Sequence, residues 1–246
     1  MPSIEIIAEV ATNHGGSIPL AKEFIKRFAA AGADWVKFQT FDVRHLSSTD
    51  HQFQWMKRAQ LRRDDHETLI DTCKSEGTKF LTTVYNSAEV PFLQSLGLQA
   101  IKIGSGEARE PALAEAVLDA FPRVLVSLGL CQNDPWQSVF EAQTVEYLGC
   151  CTRYPAPLGV AGVVMRSPTY ATTGPWKQVT GWSDHAVGLN ELQLAVVSGA
   201  TLLETHVCLP TQARPIRSYE KTVEDIRELR AWVDLEPERF LGRWQR

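Results

Sequence analysis

The segment LQAIKIGSGEAREP, residues 98–111, decides the fold of this chain. Its first half is apolar and β-branched, which is typical of a buried parallel strand, and a helix is predicted to follow from Pro111. A lysine, Lys102, nevertheless stands inside the strand, with Ser105 and Glu107 at its exit. Because burying an unpartnered ammonium costs several kcal/mol, Lys102 is expected to meet a counter-charge in the folded protein.

A second segment repeats this pattern. In ADWVKFQTF, residues 33–41, Lys37 stands between Val36 and Phe38 in another predicted core strand. Two lysines in two buried strands suggest that both ammonium groups serve the same site.

Short apolar runs alternate with amphipathic helical patterns along the whole chain. Strands are predicted at 4–10, 34–41, 79–85, 99–107, 123–129, 145–153, 177–184 and 201–209. Helices are predicted between the Ser17 cap and the Gly32 stop, at 64–76, 87–96, 111–120, 188–199 and 222–235, and briefly from Asp134. A long polar loop should follow the second strand, and a Pro/Gly-rich loop with little helix the sixth.

This alternation implies parallel strand pairing with right-handed crossovers. Eight such units in 246 residues match the size of a closed barrel. The sequence therefore predicts an α/β fold, a (β/α)8 TIM barrel that forms a single domain over residues 1–246. An open doubly wound sheet is the alternative, but no GxGxxG motif follows the first strand.

Composition narrows the class of protein. A net charge of -4 and a pI near 5.9 argue against a general nucleic-acid binder, and the one basic cluster, Lys57 to Arg63, is interpreted as a solvated loop and helix start. Five cysteines without a CxxC motif indicate no disulfide framework. No signal-peptide pattern and no 18-residue apolar run is present, so a soluble, cytoplasmic protein with no membrane partner is expected.

Polar residues lie near the carboxyl end of every predicted strand, the end at which barrels carry their chemistry. In chain order they are Glu9, Asn13, His14, Lys37, Gln39, Thr82, Thr83, Lys102, Ser105, Glu107, Ser127, Thr152, Arg153, Tyr154, Ser183, Asp184, His185, Glu204 and His206. We expect Lys37 and Lys102 to project toward the barrel mouth and meet one anion, a phosphate or a carboxylate. The alternative is that each lysine pairs with Glu9 or Glu107 as a core salt bridge.

Two histidines should be neighbours in space. His185 ends the seventh strand and His206 the eighth, and two imidazoles near carboxylates suit Mn²⁺, Zn²⁺ or Fe²⁺. His14 is interpreted as a hydrogen-bonding loop residue. The remaining histidines, His45, His51 and His66, are expected to be solvated.

The ordered set of motifs resembles the sialic acid synthases, the N-acetylneuraminate, legionaminate and pseudaminate synthases. The matching blocks, from residue 6 to residue 206, are IIAEVATNHGGSIPLAKEFIKRFAAAGADWVKFQTF, KFLTTVYNSAEVPFLQSLGLQAIKIGSGE, CCTRYPAP, GWSDHAVG and GATLLETH. No single block is decisive, whereas their order and spacing together are specific. The family consists of (β/α)8 enzymes that condense phosphoenolpyruvate with an aldehyde sugar, release phosphate and form a 2-keto-3-deoxy acid.

The resemblance implies roles for individual residues. Phosphoenolpyruvate would be held by Lys37, Thr83, Lys102, Ser105 and Ser183, and a divalent metal, usually Mn²⁺, by His185 and His206. Glu9 matches an acidic residue near the metal, and Glu107 and Tyr154 match positions that contact the amino-sugar acceptor. The expected catalytic set is therefore Glu9, Lys37, Lys102, Glu107, His185 and His206.

Several features depart from the family pattern. In CCTRYPAP, Thr152 replaces an asparagine or serine, and Arg153 either meets an additional anion or points to solvent. After the eighth strand, LPTQARPIRSYEKT replaces the family's PGPDH motif, so that Arg214, Arg217 and Lys221 bring positive charge where a carboxylate would receive the sugar. The region between the fifth and sixth strands is short, which predicts a trimmed helix there.

The family's C-terminal antifreeze-like domain, which closes the partner's sugar pocket across a dimer, has no counterpart in the sequence. Whether the chain forms a homodimer is left undecided by the sequence. The acceptor, an aldehyde or an amino sugar, stays open. A smaller, differently charged or macromolecule-attached acceptor is an alternative to N-acetylmannosamine, with Arg153, Arg214 and Arg217 as candidates for its anionic group. Two alternatives are a non-catalytic barrel that binds phosphoenolpyruvate or a partner, and a lyase or Schiff-base aldolase that uses Lys37 or Lys102.

Overall fold

The structure is a computed structural model that describes residues 3–129, 139, 140, 142, 144–166 and 179–235. Within these residues, eight parallel strands form a closed barrel in which each strand pairs with its sequence neighbours, and the eighth pairs with the first. The predicted (β/α)8 barrel is confirmed.

The strands are β1 Glu5–Ala11, β2 Trp35–Thr40, β3 Lys79–Val84, β4 Ile101–Ile103, β5 Val124–Gly129, β6 Val145–Cys150, β7 Val179–Asp184 and β8 Leu202–His206. The helices are α1 Ile18–Ala29, α2 Phe53–Ala59, α3 Arg63–Ser75, α4 Val90–Ser95, α5 Pro111–Leu118, α6 Val160–Arg166, α7 Asn190–Val197 and α8 Val223–Asp234. Short 3-10 turns cover Val43–His45 and Ser87–Glu89.

Two connections contain more helix than the sequence predicted. The polar loop after β2 includes α2, and the Pro/Gly-rich loop after β6 includes α6. The start of α6 is capped from a distance, because the Glu191 carboxylate of α7 accepts hydrogen bonds from the backbone N–H groups of Gly159 and Ala161. A cap 30 residues away leaves no local signal in the sequence. The short helix expected from Asp134 lies outside the described residues.

The barrel interior is built in two layers. The lower layer is an apolar plug of Ile7, Trp35, Leu81, Ala100, Leu125, Leu148 and Leu202. Because alternate residues of a strand face the same side, the residue two positions further along each strand lies directly above the plug. These upper residues are Glu9, Lys37, Thr83, Lys102, Ser127, Cys150 and Glu204. Strand periodicity therefore places a polar layer directly above the apolar layer, at the mouth of the barrel.

Smaller expectations are also settled. The four basic side chains between Lys57 and Arg63 are exposed, as predicted. Cys73, Cys150, Cys151 and Cys208 are free, buried thiols. In the part of the chain that the structure describes, no helix combines the length and apolarity needed to cross a bilayer.

Candidate active site

The ammonium of Lys37 is held on two sides in the polar layer. Lys37 Nζ lies 2.5 Å from Glu9 Oε2 and donates a hydrogen bond to Thr83 Oγ1 at 2.8 Å. These contacts follow from strand register, since Glu9 pairs with Lys37 across β1 and β2. The first buried lysine thus has a direct counter-charge.

Lys102 is held differently. Its Nζ donates to Ser127 Oγ at 2.6 Å and to the Ile103 carbonyl at 3.2 Å. The nearest carboxylate belongs to Glu204, whose Oε2 lies 3.6 Å from Lys102 Nζ. The ammonium is therefore bound mainly by neutral oxygens.

Glu204 joins the two lysines. The same Oε2 atom lies 3.8 Å from Lys37 Nζ, while Glu204 Oε1 accepts a hydrogen bond from Ser183 Oγ at 2.9 Å. Oε2 is buried and has no hydrogen-bond partner among the described residues. The two amines therefore lie near one carboxylate oxygen of the protein, and the bound anion that they were expected to share stays a prediction.

The salt-bridge alternative is thus correct for Lys37 and Glu9. It is wrong for Lys102 and Glu107, because no ion pair joins these two described residues and the nearest carboxylate to Lys102 is that of Glu204. Glu204 was visible as a strand-end residue but carried no assigned role. Its carboxylate reaches the lysines of β2 and β4 from β8 because the barrel is closed, which strand spacing alone does not give.

The carboxylates differ in their proton affinity. Burial raises the pKa of Glu204, but Lys102 and Lys37 outweigh burial and hold this pKa at about 2. Burial raises the pKa of Glu9 to about 7, with Lys37 only partly opposing it. Two acidic groups in one layer are thus poised as a permanent anion and a proton acceptor near neutral pH.

The pKa values of the two lysines also shift in opposite directions. Burial lowers the pKa of both ammoniums; at Lys37 the nearby carboxylates outweigh burial and the net pKa is raised, whereas at Lys102 the net pKa is lowered. Lys37 is consequently the more firmly protonated of the two.

His185 and His206 lie side by side at the mouth, with ring centres 5.4 Å apart. His185 Nδ1 donates to the Cys151 carbonyl at 2.8 Å, which leaves the lone pair on Nε2 free. Burial lowers the pKa of both imidazoles, and each is therefore neutral at pH 7.

These two side chains fit a divalent cation, because neutral imidazoles are typical metal ligands and the Nδ1 hydrogen bond of His185 fixes its ring with Nε2 available. Within the described ranges, no group of three or more His, Cys, Asp or Glu side chains is assembled for an ion. The pair would thus supply two ligands and leave the other coordination positions open.

Two cavities open at this rim. The inner one has a volume of about 200 Å³ and is lined by the polar layer and the two histidines. The outer cleft has a volume of about 710 Å³ and lies among the loops after β1, β2, β3, β6 and β8. Both are lined by Gln39, Tyr85, Tyr154 and His206, so they form adjoining chambers.

Most residues predicted for the site reach one of these chambers. The inner cavity is lined by Glu9, Lys37, Thr83, Lys102, Ser105, Glu107, Tyr154, Ser183, His185 and His206. Arg214 and Arg217 line the outer cleft. Thr152 and Arg153 are exposed and line neither cavity, which favours the solvent-facing alternative for Arg153.

Other lining residues had no assigned role. Ser127 and Gln39 were present in the strand-end pattern, and Cys150 could have been found by counting two positions from Leu148. Tyr85 ended the third predicted strand but was given no role, and Tyr219 had no sequence signal because the loop after β8 brings it in. Tyr219 lies 5.5 Å from His206 and 5.3 Å from Tyr154 between ring centres.

Three polar residues turn out to be structural. His14 accepts a hydrogen bond from the Gly16 N–H, as expected of a loop residue, whereas the prediction of a solvated His66 is wrong. His66 is 1% exposed and bonds to Thr40 Oγ1 and the Arg62 carbonyl, both at 2.8 Å, because α3 turns this face toward the barrel. Lys221 is buried against Asp184 and does not bring charge to the mouth. His45 and His51 are exposed, as predicted.

A closed (β/α)8 barrel with a polar, two-chambered mouth at the carboxyl ends of its strands has the architecture of a barrel enzyme. Comparison with known families specifies the type. The NeuB family profile matches residues 24–215, and the chain belongs to the NeuB family.

Curated relatives agree with this family. The N,N'-diacetyllegionaminic acid synthase of Campylobacter jejuni is 30% identical over 233 residues, which cover 83% of this chain and 67% of the relative. The pseudaminic acid synthase of the same organism is 27% identical, with 93% and 71% covered. The chain spans 63% of the N,N'-diacetyllegionaminic acid synthase of Legionella pneumophila, so it matches roughly two thirds of such relatives.

Solved structures show the same fold. The N-acetylneuraminic acid synthetase of Leptospira borgpetersenii superposes with a TM-score of 0.83 at 22% identity, over 95% of this chain and 83% of that one. The spore coat polysaccharide biosynthesis protein SpsE of Bacillus subtilis gives a TM-score of 0.78 at 26% identity, over 97% and 70%.

Proposed function

We propose that this protein condenses phosphoenolpyruvate with the aldehyde of an open-chain sugar, releases inorganic phosphate and forms a 2-keto-3-deoxy acid. The observation that carries the proposal is the pair of adjoining chambers. One is small and lined by two buried lysines and several hydroxyls, and the other is large and open, with His206 between them.

The inner cavity suits phosphoenolpyruvate in size and in charge. Its volume of about 200 Å³ is below the range for drug-sized ligands and fits a small metabolite. Lys37 and Lys102 would face its phosphate and carboxylate, with Thr83, Ser105 and Ser183 as hydroxyl donors. Glu9 and Glu204 already balance the lysines, so a bound anion must draw these ammoniums partly away from their carboxylates.

The reaction balances as follows. C3 of the enol attacks the aldehyde carbon, a C–C bond forms, and the carbonyl oxygen takes up a proton. Water adds to C2 and loses one proton. The C2–O bond to phosphate then breaks while the new C2 hydroxyl gives its remaining proton to the departing phosphate, which leaves the ketone. Lys37 and Lys102 stabilise the negative charge on the departing phosphate, and the joined chambers supply proximity.

Glu9 is the group suited to accept the proton of the attacking water. Its pKa of about 7 lies near neutral pH, where a general base is most effective, whereas Glu204 stays ionised and can only orient the water. Glu107 and Tyr154 line the inner cavity beside the acceptor path, and burial raises the pKa of the Glu107 carboxyl.

His185 and His206 are the residues that would hold a divalent metal, which we propose to be Mn²⁺. Such an ion polarises the aldehyde oxygen when it is bound.

The test measures phosphate release from phosphoenolpyruvate with Mn²⁺ across a panel of aldehyde sugars. Lys102→Ala and His206→Ala should each reduce the rate by about a thousandfold or more. Lys79→Ala is the matched control for the lysine change, since its side chain is largely exposed and lines neither chamber, and it should retain full activity.

The outcomes separate the alternatives. Activity that survives Lys102→Ala or His206→Ala would refute the assigned roles. Thermal stabilisation by phosphoenolpyruvate without turnover on any acceptor would instead indicate a binding protein. A lysine adduct trapped by borohydride would indicate a Schiff-base aldolase.

A further inference from the structure

Tyr85 lies at the junction of the two chambers. It directly follows β3 and stands two positions beyond Thr83, so both side chains are on the inward face of the strand. The residue lines the inner cavity and the outer cleft alike. Its ring packs edge-on against Phe41, with ring centres 6.0 Å apart, and this contact fixes the direction of the side chain.

The hydroxyl of Tyr85 is available to a ligand. No residue that the structure describes forms a hydrogen bond with it. Two of the other residues that line both chambers already have partners in the protein. The Gln39 amide donates to Glu9 Oε1 at 3.4 Å, and the Tyr154 ring packs on the His185 ring with centres 4.2 Å apart. A half-buried hydroxyl without a protein partner satisfies its hydrogen-bonding capacity best by binding what enters the junction.

The surroundings keep this phenol in its neutral form. Burial raises the pKa of Tyr85 well above its usual value. Three nearby carboxyl groups raise the pKa further, those of Glu9, Glu107 and Glu204. Tyr85 therefore remains an O–H donor at neutral pH. An anionic substituent beside it would be repelled by the ionised Glu204, whereas a neutral oxygen atom can accept its hydrogen bond.

Tyr85 and His185 reach the mouth from opposite sides of the barrel. Tyr85 follows β3 and His185 follows β7, and these strands stand opposite each other in the closed ring of eight. In the proposed reaction, the aldehyde oxygen of the acceptor lies at the histidine pair. The carbon chain of an aldehyde extends away from its oxygen, and therefore toward the side of Tyr85. The first substituent that the chain carries there is the one on C2, next to the aldehyde carbon.

We propose that Tyr85 determines acceptor specificity by donating a hydrogen bond from its hydroxyl to a neutral oxygen on the C2 substituent of the acceptor. This proposal rests on the proposed function and assigns the residue that selects among acceptors. A C2 hydroxyl or a C2 acylamino group supplies such an oxygen, whereas a C2 methylene does not. A 2-deoxy sugar would cover the phenol without pairing it, and a site built around a hydrogen bond rejects the analogue that lacks it.

The first experiment measures kcat/KM for a 2-acetamido hexose, a hexose and a 2-deoxyhexose in the wild type and in Tyr85→Phe. The C2 group also changes the reactivity of the aldehyde itself, so the informative quantity is the change in the ratio between sugars. The preference for the two oxygen-bearing sugars over the 2-deoxyhexose should fall by about 3-fold to 10-fold in Tyr85→Phe, which is the contribution of one neutral hydrogen bond. The kcat/KM for the 2-deoxyhexose and the KM for phosphoenolpyruvate should not change.

Tyr147→Phe is the matched control. It also removes one phenol hydroxyl, but Tyr147 donates to the Phe140 carbonyl and lines neither chamber. The ratio between the sugars should therefore stay at the wild-type value in this variant. An unchanged ratio in Tyr85→Phe, an equal loss with all three sugars, or the same fall in Tyr147→Phe would each overturn the proposal, because a merely structural role affects every acceptor alike.

Binding separates this proposal from the proposed function. A hexitol and a 2-deoxyhexitol have no aldehyde and cannot react. Calorimetry with phosphoenolpyruvate present should show about 3-fold to 10-fold tighter binding of the hexitol, and Tyr85→Phe should remove this difference. If no sugar is turned over but the difference is found, the proposed function fails and the role of Tyr85 in binding stands. If no difference depends on Tyr85, its role is refuted whether or not the enzyme turns over.

Discussion

The ammonium of Lys221 lies 2.9 Å from Asp184 Oδ2, and both side chains are almost completely buried. Lys221 also donates to the carbonyls of Ala186 and Tyr219, at 2.6 and 3.0 Å. Lys221 therefore connects the loop after β7, which carries His185, to the loop after β8, which carries Arg217 and Tyr219. The pair therefore links the loop that carries His185 to the loop that lines one side of the outer cleft.

Replacing Lys221 by methionine should destabilise the fold by about 3–5 kcal/mol, because Asp184 would be left as an unpaired buried charge. Urea unfolding monitored by circular dichroism measures the loss. Lys74→Met, which removes an exposed partner of Asp71, is the control and should leave the midpoint nearly unchanged. The double variant Lys221→Met, Asp184→Leu should recover part of the loss, and equal midpoints for Lys221→Met and wild type would contradict this account.

His14 should make stability depend on pH. Burial lowers its pKa from 6.5 to about 4, so between these values the unfolded chain binds a proton that the folded protein does not. The contribution of His14 to stability is therefore complete above pH 6.5 and is lost as the pH falls toward 4, at up to about 1.4 kcal/mol per pH unit. The measurement is the free energy of unfolding from pH 7.5 down to 4.5, and the slope should be shallower in His14→Asn. An unchanged slope would show that His14 is protonated in the native state.

Gly16 packs closely against the end of helix α2, which lines the outer cleft. It adopts φ +83°, and a Cβ added there would clash with the Arg58 carbonyl at the end of α2. Gly16→Ala should therefore displace α2, whose Phe53 and Met56 line the outer cleft, and raise the KM of the acceptor more than that of phosphoenolpyruvate.

Gly77→Ala is the matched control for this change. Gly77 has φ +73° but open space around it, so it should show only the backbone strain of about 1–2 kcal/mol. A similar stability and a similar acceptor KM in both variants would show that the contact with Arg58 does not hold α2.

Metal removal should stop the reaction. Dialysis against a chelator is expected to abolish activity, and added Mn²⁺ should restore it, because His185 and His206 are neutral imidazoles at one point of the rim. Electron paramagnetic resonance of Mn²⁺ gives a readout independent of activity. The His206→Ala protein should bind Mn²⁺ about tenfold or more weakly, whereas His51→Ala should match the wild type. Full activity in the chelated protein would remove the metal from the mechanism.

The sequence predicted the barrel because strand and helix periodicities are local. The eight apolar runs and the helices between them gave the fold class and the strand order without any contact information. Residues of the inner cavity such as Lys37, Lys102 and His206 were identified for the same reason: in a parallel barrel, the carboxyl end of each strand must lie on one rim.

Other features were not readable, because they depend on which segments meet. The caps on α6 come from Glu191, and the burial of His66 comes from the inward face of α3. In the sequence, Arg153 and Arg214 are equally good candidates for the site, yet Arg153 lines neither chamber while Arg214 lines the cleft. The conformations of the two loops decide this difference.

The sequence by itself determined that this chain forms a (β/α)8 barrel with charged and hydroxyl side chains at its mouth, since alternation along a strand fixes which residues face inward. Only the tertiary structure decided that Glu204 lies between the two lysines and that Lys221 is buried against Asp184. The reason is that electrostatic partners are chosen by distances across the closed barrel, and those distances join residues far apart in the chain.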